Sequence, residues 1–340
     1  MILFDKDLKN EFVVVAELGV NHAGSVEWIK DMLPKLKEAG VDAVKFQLFT
    51  PNLYSSRSNE KRHVFLESVY LSKDNFLSIM DFAESIHLPI FATPVSHDWV
   101  EFIAEVCGVV KIASGDFSFQ PTINAALESN AKVIASTGAT SSSEILEFLN
   151  FAKSIRPDLA NSVALLHCVS AYPPPLSQAN LRAIPFMKEL TNLTVGFSSH
   201  FLEDAPLYAA MTLGARIFEV HVTDDRSRLD IRDHKLSRTP NELALIIDSL
   251  HSLDESLVEI EKRIQPSELE IISSIKKGIV YARSLPAGHL LEASDLSYAR
   301  PLNNNFPNFD SVIGKRLNKS VLAFHSVDES DFLIRPNQLQ

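Results

Sequence analysis

The sequence is poor in cysteine, short of positive charge and free of any long apolar run. Each shortage removes a class of protein. Its 340 residues hold two cysteines, Cys107 and Cys168. That is too few for a disulfide framework, and the pair lacks the spacing of a thiolate metal site, a usage that fits a reducing cytosol. Lys and Arg number 32 against 43 Asp and Glu, a net charge of −11. A broad surface for nucleic acid is thereby excluded, while a local basic pocket for a small phosphate is not. No stretch approaches the roughly 18 apolar residues of a membrane span. The N-terminus meets charge at Asp5, after four residues, so no signal peptide is expected and a cytoplasmic location is.

What the chain does have is core. Hydrophobic residues make up 46% and charged residues 22%, which excludes a disordered or collagen-like protein. The length predicts about two domains. Short, mostly apolar runs recur at 12–20, 43–49, 89–95, 109–115, 132–138, 163–170, 193–200 and 215–223. Apolar rather than alternating runs are expected of parallel strands covered on both faces. Amphipathic helical patterns separate them, one capped by Ser25 and stopped at Gly40, one after Ser72, one from the Ser141–Ser143 cluster. Eight strand–helix units predict a (β/α)8 TIM barrel over residues 1–263. A doubly wound sheet is the rival, but the first strand-to-helix turn carries no G-x-G-x-x-G. Residues 264–277 read as a linker, and 278–340 as a small β-rich domain that could lean on the barrel or on a second subunit.

Barrel chemistry sits at the C-terminal strand ends. Those ends carry Glu17, Asn21 and His22; Lys45 and Gln47; Thr93; Lys111, Ser114 and Asp116; Ser136 and Thr137; His167 and Ser170; Ser198, Ser199 and His200; His221 and Thr223. Any one of these is as easily a satisfied core polar group. The whole ring is costly unless it binds something. His200 and His221 on adjacent strands suit a divalent transition metal. His167 reads as a supporting or merely hydrogen-bonded residue, and His63, His87, His251, His289 and His325 as structural or solvated. Lys45 and Lys111 with Ser114, Ser136 and Thr93 make a phosphate site; a Schiff-base lysine and a pair of snorkelling rim lysines are the alternatives.

The segments AELGVNHAGS (16–25), DAVKFQLF (42–49), FATP (91–94), VKIASGD (110–116), ASTGAT (135–140), VGFSSH (195–200), FEVHVT (218–223) and RDHKLS (232–237) resemble the sialic acid synthase family. The C-terminal IVYARSLPAGHLLEASDLSYARPL resembles its antifreeze-like (SAF) domain. The resemblance implies condensation of phosphoenolpyruvate with an N-acyl hexosamine to a sialic acid-type nonulosonate, with release of phosphate. It implies a divalent metal, Mn2+ by preference with Mg2+ or Co2+ possible, on His200 and His221. It places phosphoenolpyruvate on Lys45, Thr93, Lys111, Ser114 and Ser136, with Gln47 nearby. Glu17 and Asp233 become the acid/base pair, with His221 beside them, and Ser170 and Tyr172 face the sugar. It further implies a domain-swapped homodimer in which Arg300 reaches the partner's N-acyl group, and a place in polysaccharide biosynthesis.

The chain departs from the family pattern at several points. Ser199 and Val220 stand where Asp and Lys precede the two metal histidines, and Val95-Ser96 replaces Phe-Asp. The P-G-P-D-H loop reads Leu229-Asp230-Ile231-Arg232-Asp233-His234, Ser170-Ala171 replaces an Asn or Ser-Glu, and Asn303 to Asn305 replace a glycine turn. These changes are expected to cluster around the sugar, retaining the chemistry and altering the acceptor toward a deoxy or diacetamido relative of N-acetylmannosamine. A weak or inactive sugar-binding relative, or another barrel aldolase, is the alternative.

Overall fold

A computed structural model describes residues 1–228, 231–258 and 261–332. The chain divides into two compact units, Met1–Val258 and Glu259–Gln340.

The first unit opens with a small hairpin, β1 (Ile2–Leu3) and β2 (Lys6–Asp7). Eight parallel strands then close a barrel: β3 (Val13–Gly19), β4 (Ala43–Leu48), β5 (Ile90–Pro94), β6 (Val109–Ile112), β7 (Lys132–Ser136), β8 (Val163–His167), β9 (Thr194–Ser199) and β10 (Ile217–His221), which pairs back onto β3. The helices between them are α1 (Val26–Glu38), α2 (Pro51–Tyr54), α3 (Glu60–Val69), α4 (Lys73–Ser85), α5 (Val100–Cys107), α6 (Gln120–Glu128), α7 (Ser142–Ile155), α8 (Ala183–Thr191), α9 (Ala205–Thr212) and α10 (Pro240–Ser256). The TIM barrel expected from the runs of apolar residues is the observed fold. The N-caps are those expected too: Ser25, Ser72 and Ser141 accept from backbone amides of their first turns, Ser141 within a full capping box.

Outward-facing Val14, Ala16, Val44, Phe46, Phe218 and Val220 pack against the helices in the larger core. Inward-facing Val13, Val15, Phe91, Ile134 and Ile217 fill the barrel's lower half, joined there by Met1, Leu3 and Leu8 of the hairpin. The amino-terminal hairpin therefore plugs the end opposite the strand C-termini, and the polar residues are left to line the other end. Between β4 and β5 the chain adds α2 and α3, with Phe49, Leu66 and Val69 forming a separate apolar cluster against Tyr54 and Val95.

The second unit contains α11 (Ile272–Ile275) and an antiparallel pair, β11 (Gly278–Tyr281) and β12 (Leu296–Ala299). Its own core is Ile279, Tyr281, Leu285, Leu291, Val312, Leu317 and Val327. Buried Asp295 and Asp331 are held by Arg283, His289, Tyr281 and Lys319, so His289 is structural.

Candidate active site

Strand register decides which polar groups meet. Glu17 is in register with Lys45 on one side and His221 on the other, and Gln47 with Thr93. These inward positions converge on a cavity of about 350 Å³ at the C-terminal mouth, the size of a small-molecule site. Its lining includes Glu17, Lys45, Gln47, Thr93, Lys111, Ser114, Ser136, Ser170, Tyr172, His200, His221 and Asp233. Of the residues given a role by the resemblance, all but Arg300 come together here; Asn21, His22, Asp116, Thr137 and Thr223 of the strand-end ring do not line the cavity. Arg300 lies in the second unit, exposed, with its Nε donating to the Ile275 carbonyl at 2.6 Å.

One wall is cationic. Lys45 Nζ sits 2.9 Å from Glu17 Oε2 and donates to Thr93 Oγ1 at 3.0 Å. Lys111 Nζ donates to Ser136 Oγ at 2.5 Å and to the Ile112 carbonyl at 3.2 Å. Both lysines are buried at 3% and 2% exposure, so neither is a snorkelling rim residue. Burial alone would lower Lys45, but Glu17 and Glu219 outweigh it and hold its pKa above the usual value. Burial, with the like charge of Lys45 adding to it, leaves Lys111 below.

Sequence reading missed Glu219. Its Oε2 lies 3.6 Å from Lys45 Nζ and 3.8 Å from Lys111 Nζ, and Ser198 Oγ donates to its Oε1 at 2.9 Å. Burial pushes its carboxyl up; the two ammonium groups and the Ser198 hydroxyl overcome that and keep it low. The signal was present: Glu219 is two residues before His221, hence on the same inward face of one strand.

A second corner is built around Gly138. Its amide donates to Ser114 Oγ at 3.1 Å, and Ser114 Oγ contacts Cys168 Sγ at 3.1 Å. A Cβ at Gly138 would collide with Ser170 Oγ and come within 2.7 Å of Ser114 Oγ and 3.0 Å of Cys168 Sγ. Burial raises the Cys168 thiol pKa, so the sulfur is a neutral packing group.

Opposite stand the imidazoles. His200 and His221 ring centroids are 5.4 Å apart, and Tyr172 lies 4.1 Å from His200. His200 Nδ1–H donates to the Val169 carbonyl at 2.8 Å, which leaves Nε2 as the free lone pair. Burial drops its pKa to about 4, with His221 adding to the effect, so the ring is neutral at pH 7. His221 Nδ1 is buried without a hydrogen-bond partner and lies 3.9 Å from Asp233 Oδ2. A neutral imidazole tied through its other nitrogen to a carbonyl is the usual dressing of a metal ligand. The pair fits a divalent cation with open positions, though among the described residues no group of three or more His, Cys, Asp or Glu has ligand spacing. His167 Nε2–H donates to the Ala179 carbonyl at 2.8 Å and does not line the cavity.

The departures from the family pattern do not all cluster as expected. Val95 and Ser170 line the cavity. Val220 instead faces the helices, and Ser199, in register with it, does not line the cavity either. Alternation along a strand turns those two side chains away from the mouth. Leu229 and Asp230 lie outside the described residues.

The model of the NeuB family matches residues 32–262, and that of the SAF domain matches residues 276–323. The chain belongs to the NeuB family. An uncharacterised protein of Methanocaldococcus jannaschii is 31% identical over 89% of both chains. The N,N'-diacetyllegionaminic acid synthase of Legionella pneumophila is 28% identical over 91% of both. Among solved structures, the N-acetylneuraminic acid synthetase of Leptospira borgpetersenii in complex with citrate matches with a TM-score of 0.71. That match is 30% identical and covers 77% of this chain and 90% of the other.

Proposed function

We propose that this NeuB-family chain joins phosphoenolpyruvate to the aldehyde of an N-acyl hexosamine, giving a nonulosonate and inorganic phosphate. The observation that carries the reading is the single cavity with Lys45, Lys111, Thr93 and Ser136 on one wall and His200 with His221 on another. The first set offers ammonium and hydroxyl donors to a ligand with two anionic ends. The second would hold a divalent metal, Mn2+ by preference, which supplies Lewis acidity toward the sugar carbonyl.

Within this reading Lys45 and Lys111 bind the enol phosphate, Lys111 oriented by Ser136. Gln47 Nε2 donates to Glu17 Oε1 at 2.8 Å and so fixes that carboxylate toward the mouth. Glu17 and Asp233 border the same glycine, Gly19, on whose Cβ position both carboxylates converge within 4 Å. In this reading they take the proton of the water that adds at C2 and deliver one to the new hydroxyl. C–O cleavage then expels phosphate, and no lysine becomes covalent.

The support for a sugar acceptor is the diacetyllegionaminic acid and N-acetylneuraminic acid synthases among the relatives. A deoxy or diacetamido hexose is the acceptor this reading favours, because at the cavity wall Val95 stands where the family pattern has the larger phenylalanine, and Ser170-Ala171 where it has an Asn or Ser-Glu. The same reading carries a cytoplasmic, domain-swapped homodimer in which Arg300 reaches the partner's sugar. Phosphate release should be screened over N-acetylmannosamine and its deoxy and diacetamido analogues with Mn2+. Turnover abolished by chelator and by His221→Ala supports the proposal. No turnover across the panel, or borohydride trapping of pyruvate on Lys45 or Lys111, overturns it.

A further inference from the structure

The rim of the cavity holds a residue that none of these roles uses. Arg232 stands immediately before Asp233, where the family pattern has proline, and its side chain is 72% exposed. Its guanidinium carbon lies 4.9 Å from the centroid of the Tyr172 ring. Tyr172 in turn lies against His200 at 4.1 Å, tilted by 32°, and meets His221 edge-on at 6.2 Å. Arg232 follows β10, Tyr172 follows β8, and His200 follows β9 between them. Three loops are thus tied in one stack over the His200 imidazole, which lines the cavity.

We propose that Arg232 is a positioning residue: the Arg232–Tyr172–His200 stack locks the His200 imidazole and the Tyr172 wall of the acceptor site. Asp233 approaches the guanidinium Nε only to 4.0 Å, so the planar cation is available to the ring. A cation over an exposed aromatic face contributes about 0.5–1 kcal/mol, equivalent to a two- to fivefold effect. Guanidinium stacks flat on the ring and an ammonium does not, so lysine should replace it only in part.

The acceptor-site half of this inference rests on the proposed condensation; the imidazole half does not. The first readout therefore needs no turnover: long-range 15N–1H spectra of 15N-histidine-labelled protein without metal, with His200 assigned through His200→Gln. Wild type should show one Nδ1–H tautomer for His200. Arg232→Ala should broaden or split that signal, and Arg232→Lys should fall between. The second readout is kinetic, with KM for the hexosamine rising about two- to fivefold in Arg232→Ala while KM for phosphoenolpyruvate stays put. An unchanged His200 spectrum overturns the stack. A KM for phosphoenolpyruvate that rises with that of the sugar overturns the assignment to the acceptor side. Wild-type protein that turns over no hexosamine defeats the proposed function while the spectra still decide the stack.

Discussion

Ser199 stands in register with Val220 across β9 and β10, both turned out of the barrel toward the helices. The two positions where the resemblance expects Asp and Lys are therefore cross-strand neighbours, suited to a complementary pair. Ser199 Oγ is buried without a hydrogen-bond partner, so the layer around it offers no acceptor or donor for a larger polar group. Restoring only Ser199→Asp would bury an unpaired carboxylate, at a cost of roughly 3 kcal/mol or more. Adding Val220→Lys should recover most of the loss. Thermal melting of the single and double variants checks this, with little change in the cavity's ligand binding.

Gly138 is the tightest point of the Ser114–Cys168 corner, where phosphoenolpyruvate is proposed to bind. Gly138→Ala must displace Ser170, Ser114 or Cys168, because its methyl would overlap their side chains. Losing the Ser114 contact to a charged ligand corresponds to about a tenfold rise in KM for phosphoenolpyruvate. Steady-state kinetics should show that rise with the melting temperature nearly unchanged.

Glu219→Gln removes the carboxylate shared by Lys45 and Lys111. Both lysine pKa values are held up in part by Glu219, so both should fall, and Lys111, already lowered by burial, should lose its proton first. The affinity for phosphoenolpyruvate should then weaken with rising pH at a lower pH than in the wild type. A pH series of calorimetric titrations separates the two profiles.

His22 supplies a pH-dependent stability term. Burial lowers its pKa from 6.5 to about 4, so between those values the unfolded chain binds the extra proton. Stability from this group is complete above pH 6.5 and falls as pH drops toward 4, by on the order of 3 kcal/mol. His22→Gln should melt with a shallower loss over that window than wild type.

Much of the fold was legible because a parallel strand covered on both faces reads as an apolar run. For the same reason its facing was not. EVHV fixes that Glu219 and His221 share one face and Val220 the other; which of the two faces points inward comes from the closed barrel. The imidazole pair and the lysines were visible as polar residues at strand ends. Glu219 was overlooked because it sits deeper than the end of its strand, although its spacing from His221 carried the signal. The Ile2–Leu3/Lys6–Asp7 hairpin escaped because two-residue strands carry no periodicity.

The two buried ammonium groups and the two carboxylates among them have a consequence for how substrate arrives. With Glu17 and Glu219 facing Lys45 and Lys111, that inner quartet sums to zero charge before anything enters. Phosphoenolpyruvate, the ligand proposed for this site, therefore gains no long-range pull from that quartet. Recognition happens by exchange of partners at contact.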